Sequence, residues 1–133
     1  MKMLDMRNVL PAQAYAFSAD GFADQDTPLV KNCWYVAAWD NEVPVDGFLA
    51  RTIGGIPIVF WRDSANRVIA FEDRCCHRGA PLSKGRREGD CVRCMYHGLK
   101  FDRSGACVEI PSQQTIPPQT RVRVFPVIEQ HRW

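Results

Sequence analysis

The sequence predicts an antiparallel all-β domain, a sandwich or partly closed barrel. Apolar, aromatic and β-branched residues fall in short runs bounded by polar turns. No segment sustains the helical period of apolar positions. Glycine and proline, nine of each, stand largely between the runs.

The elements follow in order. Cys33 to Trp39 is aromatic and β-branched and stops at Asp40-Asn41. Phe48 to Ile53 and Ile56 to Arg62 flank Gly54-Gly55, a two-residue hairpin signal. Val68 to Glu72 follows the polar turn Asp63 to Asn66. Asp90 to Cys94, Leu99 to Asp102 and Ala106 to Ile110 are short strands, the last entered through Arg103-Ser104-Gly105. Arg121 to Val124 alternates polar and apolar, as a half-buried strand does. Residues 1–27 read as an N-terminal extension, loop or short helix, with a helical turn or two at Ala12 to Phe17. Residues 28–133 read as the folded domain. Two segments do not behave as strands, at about 73–85 and 93–103. Each begins at a Cys/His cluster and contains a glycine, Gly79 or Gly98.

The length of 133 residues fits one domain, and 46% apolar with 24% charged content is ordinary for a globular chain. The net charge of +2 gives no footprint for nucleic acid. The local run Lys84, Arg86, Arg87 reads as a solvated loop, with docking of an acidic redox partner as the alternative. No apolar stretch approaches a membrane span, and Met1 to Arg7 lacks the form of a signal peptide. The expected location is therefore the cytoplasm.

Six cysteines need an account: Cys33, Cys75, Cys76, Cys91, Cys94 and Cys107. Without a secretory signal they read as thiols or metal ligands rather than a disulfide frame. Four lie between positions 75 and 94, beside two of the three histidines. Cys75-Cys76-His77-Arg78-Gly79 and Cys94-Met95-Tyr96-His97-Gly98 give C-x-H and C-x-x-H. Each loop thus offers one soft thiolate and one imidazole. Zinc is the competing ligand reading, although its structural sites favour C-x₂₋₄-C and H-x₃₋₅-H. Redox use of Cys91-Val92-Arg93-Cys94 would want a βαβ context. Cys33 and Cys107 sit in strand patterns and read as small core residues. Cys76 and Cys91 fit the ligand spacing worse, and His131 reads as exposed.

These two motifs at this separation resemble the Rieske iron–sulfur family. The resemblance implies a [2Fe–2S] cluster with Cys75 and Cys94 on one iron and His77 and His97 on the other. It implies a Rieske-type fold with a two-loop cluster-binding subdomain. Arg78, Gly79, Leu82, Tyr96 and Gly98 are the further cofactor-binding candidates. The glycines are expected to take positive φ and to aim bare N–H groups at the sulfides. Pro81 is expected to stiffen the first loop and Leu82 to keep water off.

The surrounding residues sharpen the resemblance. Asn32 to Ala37, Asp73 to Ser83, Cys94 to Asp102 and Ile110 to Gln113 are similar to the N-terminal domain of Rieske non-haem iron oxygenase large subunits, vanillate demethylase-like members included. Respiratory members carry cysteines where this chain has Ala80 and Tyr96, and a serine where it has Leu99. The resemblance therefore implies a lower-potential centre. It also implies a reductase or ferredoxin as electron donor. The recipient would be a mononuclear non-haem Fe(II) in the catalytic domain of the same or a neighbouring subunit, possible in a trimer. Two His and one carboxylate hold such an iron. With two of three histidines committed, only His131 remains, so no catalytic residue is assigned in this chain. The expectation is an oxygenase electron-transfer domain without its catalytic part, with a stand-alone Rieske ferredoxin as the alternative.

Overall fold

A computed structural model describes residues 2–5 and 33–130. Among the described residues eleven strands, β1 to β11, form three antiparallel sheets. The middle sheet takes its strength from β4, Ile56–Arg62, which pairs with β3, Leu49–Ile53, across the Gly54-Gly55 turn. On its other side β4 pairs with β5, Val68–Glu72, and β5 with β10, Val124–Phe125.

Strand alternation explains why this sheet lies in the centre. Ile56, Ile58 and Phe60 point to one core, with Val68, Ala70 and Phe125. Val59 and Trp61 point to the other, with Phe71, Leu82, Val92, Leu99 and Phe101. Both faces of β4 are dry, which is why it reads as a continuous apolar run rather than an alternating one. Trp61 and Phe71 meet edge to face in the second core, centroids 5.7 Å apart.

The first core is closed by a sheet of β2, Trp34–Ala38, β1, Lys2–Asp5, and β11, Val127–Glu129, in the order β11-β1-β2. Lys2 stands opposite Glu129 on one side and Ala38 on the other. The second core is closed by β6, Arg86–Glu88, β7, Cys91–Arg93, β8, Lys100–Asp102, and β9, Cys107–Glu109, in that order. This last sheet carries both Cys/His loops.

Three readings of the sequence are corrected. Lys2–Asp5 is a strand, not loop or short helix: its ladder comes from two strands remote in sequence, which local propensity does not register. The Ala12 to Phe17 segment lies outside the described residues. Arg86–Glu88 is also a strand rather than a solvated loop, because Glu88 is held by Arg86, Arg93 and Lys100. Arg121 to Val124 is only in part a strand: Arg121 makes one bridge with Ala106, and regular pairing begins at Val124.

Among the described residues three charged ones are buried, and each serves as a tie. Arg62 donates to the carbonyls of Asp40, Val43 and Asn66, fixing a 3₁₀ turn and the β4–β5 turn. Asp63 accepts from the Arg67 backbone and side chain. Its carboxyl lies at about 2: burial opposes ionisation, but the hydrogen bonds from Arg67 and Arg103 outweigh it. Asp73 serves the first loop. Among the described residues no helix is long and apolar enough to cross a membrane.

Candidate metal centre

The two loops share one backbone device. In the first, the Cys75 N–H donates to the Ala80 carbonyl at 2.8 Å and the Gly79 N–H to the Cys75 carbonyl at 2.9 Å. In the second, the Cys94 N–H donates to the Leu99 carbonyl at 2.8 Å and the Gly98 N–H to the Cys94 carbonyl at 3.2 Å. The fourth residue after each cysteine must turn left-handed for both bonds to close, and Gly79 and Gly98 do so at φ 68° and 74°. The expectation that these glycine N–H groups face sulfides is corrected: both are consumed within the turns.

What holds each loop differs. Asp73 accepts from the Ser83 N–H at 2.7 Å and hydroxyl at 2.6 Å, fixing the 3₁₀ turn Leu82–Lys84 that Pro81 opens. Leu82 is fully buried, in the same core as Cys75 and Cys94. It therefore packs behind the thiols. In the second loop Arg93 is the clamp. Its guanidinium donates to the Gly98 carbonyl at 2.7 Å, to Glu88 at 2.7 Å and to Glu109 at 2.9 Å. Glu88 also pairs with Lys100 at 3.2 Å. Arg93 holds the Glu88 carboxyl at about 2, and the bond to Glu88 in turn raises Arg93. The loops touch where a Cβ on Gly85 would lie 2.1 Å from the Arg93 carbonyl oxygen, so only glycine fits.

The side chains converge by pairs. Cys75 and Cys94 are 4% and 2% exposed, while His77 and His97 lie at the surface. The two imidazoles face each other edge-on, centroids 4.5 Å apart, and the Tyr96 ring lies over His97 at 3.9 Å. Burial pushes the Cys75 thiol up to about 12; the His77 backbone N–H opposes this and the neighbouring Cys94 adds to it. A thiol so placed is a poor nucleophile. It is a good soft ligand once a metal displaces its proton. Among the described residues no three His, Cys, Asp or Glu side chains gather on one ion. A single zinc would need such a gathering. A binuclear cluster needs only two protein ligands on each iron, so the paired donor set fits it.

The remaining cysteines do not join the site in the same way. Cys76 is exposed, and Cys91 and Cys33 are half-buried. Cys33 is thus less enclosed than a core residue. Cys107 is buried in the second core and donates to the Glu109 carbonyl. Cys91 opens β7 and Cys94 follows it, and only Cys94 joins the second core, which removes the C-x-x-C reading. His131 lies outside the described residues. Arg78 is exposed.

A hollow of about 610 Å³ adjoins the imidazoles. Cys76, His77 and His97 form one wall, and Ile110, Pro111 and Pro117 the other. Pro111 comes so close that a Cβ on Gly98 would sit 2.8 Å from its Cγ. Sequence reasoning tied Ile110 to Gln113 to the resemblance but gave them no place beside the imidazoles, and it missed Arg93 and Glu88, because none of them belongs to a spacing motif. A larger hollow of about 750 Å³ lies away from the histidines, lined by Arg67, Asp90 and Arg103 among others. Its arginines are matched to Asp63 and Asp90.

Residues 33–126 match the family model of the Rieske [2Fe-2S] domain. Over 103 residues the chain is 59% identical to the iron-sulfur subunit of the toluene-4-sulfonate monooxygenase system of Comamonas testosteroni, covering 77% of this chain and 30% of that one. It is 43% identical over 102 residues to the vanillate O-demethylase oxygenase subunit of a Pseudomonas species, covering 76% of this chain and 26% of that one. A crystal structure of dicamba monooxygenase with non-heme iron and dicamba superposes with a TM-score of 0.73 at 41% identity, over 78% of this chain and 32% of that chain. The chain thus spans about 30% of the length of the curated relatives it matches.

Proposed function

This chain belongs to the Rieske [2Fe-2S] domain family, and from that premise we propose that Cys75 and Cys94 hold the inner iron of its cluster and His77 and His97 the outer one. When bound, the cluster supplies a one-electron couple, raised relative to an all-cysteine cluster because two neutral imidazoles replace two thiolates. The chain's residues divide the remaining work. Leu82, Leu99 and Phe101 exclude water from the thiol side. Asp73 and Arg93 hold the loops in register. The exposed imidazoles, with Tyr96 over His97, give the exit toward a partner. Leu99 offers no hydroxyl, so the potential belongs toward the low end of the roughly −150 to +300 mV range of such centres.

The electron's destination is proposed to be the mononuclear iron of an aromatic-compound oxygenase, a hydroxylase or demethylase. The chain's three histidines do not suffice for both sites, so oxygen and substrate would be handled by a catalytic domain of the same or a neighbouring subunit. A reductase or ferredoxin would supply the electron. Residues 28–133 are the proposed cluster domain, with loops at about 73–85 and 93–103.

One observation carries this reading. Two loops with the same hydrogen-bond pattern bring two buried thiols and two exposed imidazoles to one place. Iron and acid-labile sulfide analysis with EPR of the reduced protein tests it. The expected result is two of each per chain and an average g below that of all-cysteine clusters. A colourless, zinc-containing protein would refute it.

A further inference from the structure

His77 and His97 stand on loops that are held to different degrees. Arg93 precedes Cys94, and its guanidinium returns to the Gly98 carbonyl, so it joins the residue before the second Cys/His pair to the residue after it. Gly98 is thereby fixed at both polar ends, its N–H by the Cys94 carbonyl and its carbonyl by Arg93. Pro111 crowds the same residue: a Cβ on Gly98 would lie 2.8 Å from the Pro111 Cγ and 3.9 Å from the Arg93 Nη1. His97, the chain neighbour of Gly98, also carries the Tyr96 ring at 3.9 Å. The first loop is different. A Cβ on Gly79 would meet nothing within 4 Å, and among the described residues no side chain bonds the Gly79 carbonyl. The cations of that loop, Arg74, Arg78 and Lys84, are exposed and have no carboxylate partner among the described residues.

Three contacts set the plane of Arg93. Nε donates to Glu88, Nη1 to the Gly98 carbonyl and Nη2 to Glu109. The side chain is 11% exposed. A planar fork engaged at every nitrogen has one orientation, which an ammonium on a flexible stem does not. Glu88 comes from β6 and Glu109 from β9, the two outer strands of the sheet that carries the loops. Arg93 therefore refers Gly98 to the whole sheet and not to its own turn alone. Closing the turn does not require this: the first loop closes with the same two backbone bonds and no such clamp. We propose that Arg93 is a positioning residue for His97, which fixes where that imidazole meets its iron. His77 keeps the freer loop, so the two imidazole ligands are inequivalent. The inference rests on the proposed assignment of both histidines as ligands.

The test uses the cluster-loaded full chain in its reduced form, with pulsed EPR to read each coupled imidazole nitrogen. Arg93→Lys keeps the charge and loses the fork. It should shift the coupling of one imidazole nitrogen and leave that of the other in place. Lys100→Gln removes one charge from the same network at a side chain that pairs with Glu88 and not with Gly98, and should leave both couplings in place. Hydrogen exchange adds a readout that needs no iron. In Arg93→Lys the peptide spanning 94–99 should exchange about tenfold faster, and that spanning 75–80 no more than about twofold faster. Couplings that do not move in Arg93→Lys would overturn the proposal. So would couplings that move together in Arg93→Lys and in Lys100→Gln, because charge alone would then be acting. Circular dichroism decides the case of a colourless Arg93→Lys. Colour lost with the fold kept supports the local role, whereas colour lost together with the fold makes Arg93 merely structural and overturns it. If the unmutated protein shows no imidazole couplings, the ligand assignment fails and this role falls with it, while a tenfold exchange difference would still mark Arg93 as the clamp of the loop.

Discussion

Loop 73–85 and loop 93–103 close with the same two hydrogen bonds, from the cysteine N–H and from the glycine four residues on. Around that shared turn they diverge. The first is tied by a buried carboxylate gripping a serine, and leaves three cations in water. The second is tied by a guanidinium spread over a carbonyl and two carboxylates, and its charges cancel. The backbone demand is the same at the two proposed ligand pairs, so it is met twice in one way. The supporting side chains answer to what each loop faces. One loop presents charge and the other absorbs it.

Four experiments can break or sharpen this contrast. The largest effect tests the feature the loops share. Cys75→Ser and Cys94→Ser should each abolish the red-brown absorption and the bound iron, whereas Cys76→Ser and Cys91→Ser keep both. Loss of colour in Cys76→Ser would overturn the pairing of thiols.

The next tests the contact between the loops. Gly85→Ala puts a methyl against the Arg93 carbonyl, and backbone cannot move aside cheaply. The expected loss is about 3 kcal/mol in denaturant unfolding. Gly89→Ala, at a left-handed position with open space, should cost only about 1 kcal/mol. Equal losses would mean that the loops do not bear on each other.

The third separates the two ties. Arg93→Met should cost about 2 kcal/mol, and less in 1 M salt, because half-exposed Glu109 shares the charge. Asp73→Asn should cost about 1 kcal/mol and respond little to salt, since its bonds to Ser83 are enclosed. Urea melts at two salt concentrations distinguish them.

The smallest effect is on acid stability. The Glu88 carboxyl sits at about 2 in the fold against an ordinary 4.5. Its contribution is therefore full above about pH 4.5 and is lost as pH falls through about 2. Glu88→Gln should flatten that part of the stability profile. An unchanged acid limb would remove Glu88 from the clamp.

Much of this was legible in the sequence where the signal is local. Ile56–Arg62 and Val68–Glu72 were readable because Gly54-Gly55 and Asp63 to Asn66 mark their ends. The ligand candidates were readable because iron–sulfur chemistry fixes residue types and spacing. The failures are non-local. Glu88 and Arg93 look like surface charges until the fold joins them. The alternation at Arg121 to Val124 suggested a full strand. There the Val122 N–H instead donates to the Gly105 carbonyl, and the Cys107 N–H to that of Thr120, so the segment closes a loop. Pro111 carries no reactive group, so the resemblance marked its stretch without placing it beside the imidazoles.

The pairing of Lys2 with Glu129 has a consequence in time. It joins strands far apart in sequence, and such contacts form slowly. The hairpin of β3 and β4 is local and can close while synthesis continues. During translation β1 has no access to its second neighbour until β11 leaves the ribosome. The sheet that seals the first core is therefore completed only after the segment carrying the two Cys/His loops has been made.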